Sequence, residues 1–251
     1  MNSPAVTIER WAAWAPGVET PAQWDSWARG DIKISQAGMP DVEFLPSLFR
    51  RRLSRLSRMA LRVAYNCLGA EHPPVRSVFC SRHGELSRTA ELLNSITRTE
   101  ALSPTAFSMS VHNTASGLYS IARQDKSASS AIASGIDSLE SGFLDAAAAL
   151  HAGPRDERLM LVIADEEPPE PFGYIAGENG PAYAAAFLLT KTESGNGISL
   201  AITGGRDESA EPREDEPHAL SLLRFLINGG RELALKTDRL VWMWRNHAKQ
   251  N

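Results

Sequence analysis

The stretch from Ser103 to Gly153 sets what this chain can fold into. It reads as helix, short strand, helix, with small residues throughout. Ser103-Pro104 is a helix start, because a first turn does not need the N–H that proline lacks. The helix that follows holds Phe107, Val111, Leu118 and Ile121 among alanine, serine and glycine. Small residues let a second backbone come close, so this helix is expected to be buried against a partner element. Ser127 to Ile132 is short, small and partly β-branched, the pattern of a buried strand. Asp137 is placed to cap a second helix, which passes Leu144 and the alanine run 146–149 and stops at Gly153.

The remaining elements fall in order around that unit. Thr7 to Trp14 is a strand, and 20–41 is a loop-rich passage in which Trp24 and Trp27 are packing residues. Leu48 to Leu68 reads as a single amphipathic helix. Val75 to Ser81 is a strand and Gly84 to Thr97 a helix. Arg158 to Asp165, RLMLVIAD, is apolar enough to be buried on both faces of a parallel sheet. Ala184 to Thr190 and Ile198 to Thr203 flank a hairpin-like turn at 193–197. A charged surface loop is expected over 206–217, then a helix from Ala219 to Ile227. Leu233 to Arg245 reads as one strand with Trp242 and Trp244 on one side, a lid or an interface. Alternating strands and helices predict an α/β fold, with a mostly parallel sheet and helices on both faces. The whole chain, 1–251, is expected to form one domain.

Composition excludes several function classes. Net charge is −4, so no global basic field attracts nucleic acid. Two cysteines, Cys67 and Cys80, make no disulfide framework and suit a reducing cytoplasm. The N-terminal residues lack the signature of a signal peptide, and no run approaches the ~20 apolar residues of a membrane span. No GxGxxG, Walker A or GxSxG string occurs. No bound metal is expected, since no paired Cys or His ligands lie close in sequence.

Two local features carry chemistry. Cys80, His83 and Glu85 sit at the C-terminal end of a strand, where α/β folds place ligand sites. A Cys80/His83 pair would suit a thioesterase or acyltransferase. The opposing reading makes Cys80 a small core hydrophobe. The second feature is a basic strip: Arg50, Arg51, Arg52, Arg55, Arg58 and Arg62 fall within thirteen positions. It reads either as a docking patch for an acidic partner or as a solvated face with local ion pairs.

Asn113, Gly117, Ser120 and Ile121, followed by Ala133-Ser134-Gly135-Ile136-Asp137-Ser138, resemble the core of the β-ketoacyl synthases of the thiolase superfamily. Phe79-Cys80-Ser81-Arg82-His83-Gly84-Glu85, Leu102 to Phe107 and Ser110 to Asn113 add a resemblance to chain length factors of aryl polyene clusters. The resemblance runs from about Trp11 to Trp244 and implies a thiolase-like half with a five-stranded, mostly parallel sheet and a short C-terminal extension. The family's nucleophilic cysteine is missing. Ile132 holds its position if the match is anchored on Ser-Gly-Ile-Asp-Ser, and Ile136 if it is anchored on Asn113. Isoleucine has no nucleophile, acid or base, so it cannot form an acyl-enzyme. No His-Gly-Thr or Asn-His string follows; His218 and His247 stand alone.

The resemblance therefore implies a non-catalytic subunit. It would pair with an active β-ketoacyl synthase and shape the acyl tunnel during chain elongation on a carrier protein. Phe107, Met109, Val111, His112, Asn113 and Gly117 would lie at the interface or line the tunnel. Arg50, Arg51, Arg52, Arg55 and Arg58 would dock the acidic acyl carrier protein, whose phosphopantetheine bears the acyl chain. No cofactor bound to the chain itself is implied. A homodimeric acyl-binding module is the further alternative.

Overall fold

The computed structural model describes residues 5–69, 72–175, 180–192, 197–203, 216–237 and 240–247. One sheet of eight strands runs through it, with helices on both faces. The strands are β1 (Ala5–Trp14), β2 (Arg76–Cys80), β3 (Ser129–Ile132), β4 (Arg158–Asp165), β5 (Tyr183–Lys191), β6 (Ile198–Thr203), β7 (Glu232–Lys236) and β8 (Val241–Asn246). Their order across the sheet is β3-β2-β4-β5-β1-β6-β8-β7. Only the pairs β2–β3 and β2–β4 are parallel; the other five neighbours run antiparallel. The fold is α/β, but its sheet is mixed and eight-stranded, which corrects the five-stranded, mostly parallel expectation. Antiparallel neighbours need no helical crossover, so periodicity alone does not reveal them.

The buried middle strands do what their sequence requires. In β4, Leu159, Leu161 and Ile163 face one layer while Met160, Val162 and Ala164 face the other. The first layer holds α1 (Pro21–Arg29), α7 (Ser138–Ala152) and α8 (His218–Ile227). The second holds α3 (Arg55–Leu68) and α6 (Thr114–Arg123). Burying both faces of β4 accounts for its near-continuous apolar run.

Five local readings change. The loop-rich passage contains α1, started by a capping box between Thr20 and Gln23 and ended by Gly30 at φ +87. The long arginine helix is broken: α2 (Ser47–Arg50) closes within one turn, and Ser54 caps a fresh start at α3. The Arg58 guanidinium donates to the Arg50 carbonyl at 2.8 Å, filling an acceptor that α2 leaves open. The helix opening at Ser103 is also two helices, α5 (Pro104–Ser108) and α6. Between them His112 Nε2 donates to the Ser81 carbonyl at 2.9 Å, a tertiary bond that draws the chain off the helix path. The presumed β5–β6 hairpin is not one, because β1 lies between these strands; residues 193–196 lie outside the described residues. The presumed last strand is the hairpin β7–β8.

Two functional guesses fall with these changes. Trp242 and Trp244 do share a face, but both are buried in the core, with Trp244 edge-on to Phe143 at 4.7 Å. Neither forms a lid or an exposed interface. Asp137 precedes α7 without capping it; its carboxylate accepts from Trp242 Nε1 at 2.6 Å. Trp24 and Trp27 pack as expected, edge-to-face at 5.1 Å. The charged loop read over 206–217 lies mostly outside the described residues.

Candidate functional site

Strand β2 ends at Cys80 and its parallel neighbour β4 ends at Asp165, so both deliver side chains to one edge of the sheet. Asp165 is half-buried there. It accepts from Ser81 Oγ at 2.9 Å, from the Arg82 amide at 2.6 Å and from Tyr183 Oη at 3.0 Å. Burial pushes the Asp165 carboxyl up from its ordinary value, and those three donors oppose the shift. Beside it, α7 contributes Glu140, fully buried, whose Oε1 lies 2.8 Å from His218 Nδ1 at the start of α8.

These groups surround a cavity of about 60 Å³ lined by His83, Ile136, Asp165, Glu166, Tyr183 and His218, among others. A volume of that size suits a few water molecules. Burial, and then the neighbouring Arg82, pull the His83 imidazole below its usual value. Burial raises the Glu166 carboxyl, against a hydrogen bond from Ser87 and the field of Arg55. No thiol lines this cavity. Its acids and imidazoles can hold a proton or a polar ligand.

Cys80 is not among the residues that line this cavity. Its side chain is buried under α7, where Gly142 leaves room for the sulfur: a Cβ there would sit 2.1 Å from Cys80 Sγ. Burial first, then the carboxylates Asp165, Asp145 and Glu140, push this thiol well above its ordinary range. Among the described residues no hydrogen bond joins Cys80 to His83. The structure thus places Cys80 as a core hydrophobe and gives no thiol–imidazole pair. Ile136 lines the cavity, in a one-turn 3-10 helix, Gly135–Asp137. Ile132 ends β3 and packs partly against the core. Among the described residues no three His, Cys, Asp or Glu side chains converge as a metal site.

The residues expected at an interface or tunnel separate into two groups. Phe107 is 64% exposed, and Val111, Asn113 and Gly117 are exposed as well; Ile121, outside that set and expected to be buried, is 65% exposed. Met109 packs partly against the core. His112 is half-buried and held within the chain by its bond to Ser81; its ring fills the space over Gly84, whose φ of +58 suits glycine. Helix α6 buries Leu118 and Tyr119 against α3 and presents Gly117 and Ile121 outward. Next to it, β3 ends the sheet: among the described residues it pairs only with β2, and its residues are exposed or half-buried. This corrects the reading of β3 as a buried strand; its small residues serve an edge.

The basic strip is also divided. Arg55 donates to the Gly38 carbonyl at 3.1 Å, Arg58 to the Arg50 carbonyl, and Arg62 to the Asp41 carbonyl at 3.1 Å. Arg51 and Arg52 are exposed and Arg50 is half-exposed. Sequence reasoning missed the Glu140–His218 pair, whose members are 78 positions apart. Asp165 did leave a signal, as the one acid ending an apolar strand.

The family model described as β-ketoacyl synthase, N-terminal domain, matches residues 24–245. Among solved structures, one described as the ketosynthase ApeO in complex with its chain length factor ApeC, from Xenorhabdus doucetiae, superposes with a TM-score of 0.83 at 28% identity. That match covers 96% of this chain and 99% of the other. The ishigamide ketosynthase/chain length factor matches with a TM-score of 0.66 at 16% identity, over 90% of this chain and 74% of the other. A β-ketoacyl synthase from Burkholderia phymatum gives 0.60 at 13%, over 90% and 71%. The last two likenesses speak to the fold alone. No curated protein matches the sequence. The chain belongs to the β-ketoacyl synthase N-terminal-domain family.

Proposed function

We propose that this chain is a non-catalytic, chain-length-factor-like subunit that pairs with an active β-ketoacyl synthase and shapes the pocket for a growing acyl or polyene chain. One observation carries the proposal. Phe107, Val111 and Ile121 are exposed, and β3 has an unpaired edge among the described residues, in a chain whose cavity is lined by no thiol. Exposed apolar side chains and a bare strand edge suit a permanent partner. The near full-length likeness to a chain of a ketosynthase–chain length factor complex supports the same partner class.

In this reading the partner supplies the nucleophile, the general base and the carbon–carbon bond formation. This chain supplies a wall. Phe107, Met109 and Val111 set the length of the shared tunnel by steric bulk, since overfilling a packed space costs energy. A carrier protein presents the phosphopantetheine-linked chain to the pair.

Co-expression with a ketosynthase of the same source tests the proposal. The expected result is a stable complex that elongates carrier-bound acyl chains, with this chain inert by itself. Elongation by this chain alone would overturn it, as would a self-sufficient homodimer that ignores the ketosynthase. Substituting Phe107 by alanine in the complex is expected to shift products toward longer chains.

A further inference from the structure

The segment from Gly38 to Arg52 has a construction that pairing with a ketosynthase does not explain. It runs along α3 and is tied there at separate points. Arg55 holds the Gly38 carbonyl near the start of α3, Arg62 holds Asp41 one level further, and Phe44 stacks on Tyr65 with ring centroids 4.4 Å apart. The chain then returns, and Arg58 holds the Arg50 carbonyl. These ties span about 15 Å of helix, from Arg55 to Tyr65. Three arginines are thus spent on fixing a loop to a helix.

The fixed loop holds apolar side chains out to solvent. Leu48 is 72% exposed, the highest value for any large apolar residue described; Met39 is 57% exposed and Phe44 42%. Beyond them stand Arg51 and Arg52, both exposed. Six arginines face two acids, Asp41 and Glu43, between Gly38 and Gly69, in a chain whose net charge is −4. Asp41 is itself occupied: it accepts from the Glu43 amide and lies 3.9 Å from Arg62.

From this arrangement we infer that the Gly38–Arg52 loop is a lipid-facing platform, which seats the protein peripherally on an anionic bilayer. Apolar side chains that protrude singly need no complementary shape from their host. An acyl-chain boundary accepts them, while arginines at their flank meet the lipid phosphates. The exposed side chains that follow Met39, Phe44 and Leu48, those of Arg51 and Arg52, are cationic, which matches an anionic bilayer surface. Peripheral anchoring takes two weak signals together, apolar insertion and a basic cluster, and both occur here within fourteen residues. The basic strip read from sequence as a carrier-protein dock thus acquires a competing occupant, and experiment can separate the two.

The test is sedimentation of the full chain with vesicles of phosphatidylcholine, with and without phosphatidylglycerol, at low and raised salt. Binding is expected only to the vesicles containing phosphatidylglycerol, and raised salt is expected to release it. Replacing Arg51 and Arg52 together by alanine should weaken binding roughly thirtyfold, from about 1 kcal/mol per arginine. Leu48→Ser should weaken it about tenfold or more. Both variants should keep the parent's thermal unfolding, which shows that the fold survives. Absence of vesicle binding, equal binding to neutral vesicles, or an acidic carrier protein captured through Leu48, Arg51 and Arg52 with no vesicle binding would each overturn the inference. Assembly with a ketosynthase is read separately, so either proposal can fail without the other.

Discussion

Strand β2 has two parallel neighbours, β4 on one side and β3 on the other, and they could hardly differ more. β4 buries six of its eight residues, from Leu159 to Ala164, under helices on both faces. β3 has no fully buried residue and ends the sheet. The same contrast extends to the helices. α7 lies across the sheet and buries Leu139, Phe143, Ala146, Ala147 and Leu150, while α6 buries one side and leaves Ile121 in solvent. One region has completed its packing within the chain. The other keeps apolar surface and backbone hydrogen-bonding capacity unused. Burial stabilises the first, and the second is the surface that the proposed function gives to a partner.

Substitutions on the two sides should therefore fail differently. The largest effect is expected in the completed region. Trp244→Ala removes a fully buried ring stacked edge-on against Phe143, and chemical denaturation should report a loss of about 3–5 kcal/mol. Next comes Gly142→Ala. The added methyl meets Cys80 Sγ and Leu161, so a loss of about 1–3 kcal/mol is expected. The double variant with Cys80→Ala should recover part of that loss, and a double-mutant cycle measures the coupling. Failure to recover would mean that α7 does not press on Cys80 as described. The same contact keeps the thiol from reagents, so native protein should resist iodoacetamide at Cys80 until it is unfolded.

A pH series gives a subtler contrast. Burial raises the carboxyls of Asp165 and Glu166 in the folded chain above their ordinary values of 3.8 and 4.5. The folded state then binds more protons than the unfolded state as pH climbs through those values. Stability should fall with rising pH across that window, and Asp165→Asn should flatten the slope. His83 works from the other side. Its imidazole is depressed below 6.5, so stability should rise with pH through the interval just below that value.

The smallest effect on stability is expected at the open region. Ile121→Asp should change the unfolding free energy by no more than about 0.5 kcal/mol. The same substitution should abolish co-purification with the ketosynthase. A large loss of stability in the isolated chain would show that Ile121 is already used within the monomer, and the contrast would collapse.

The parts readable in advance were those fixed by local chemistry. β4 was legible because a strand covered on both faces must be apolar at every position. β2, α4 (Leu86–Thr97) and α7 followed from runs and punctuation of the same kind. The capping box Thr20-Pro21-Ala22-Gln23 and Gly30 also marked α1, whose Trp24 and Trp27 by themselves signal packing and not helix. The Glu140–His218 pair, by contrast, left no trace, since nothing near either residue requires the other.

By itself, the sequence determined the α/β class and the family, because each rests on residue identity and short-range order. Tertiary structure decided which strands are neighbours, which arginines are consumed in holding a loop, and which side of α6 is left bare. Those outcomes depend on hydrogen bonds and packing between residues far apart in the chain. Their energies exist only once the sheet has brought the partners together.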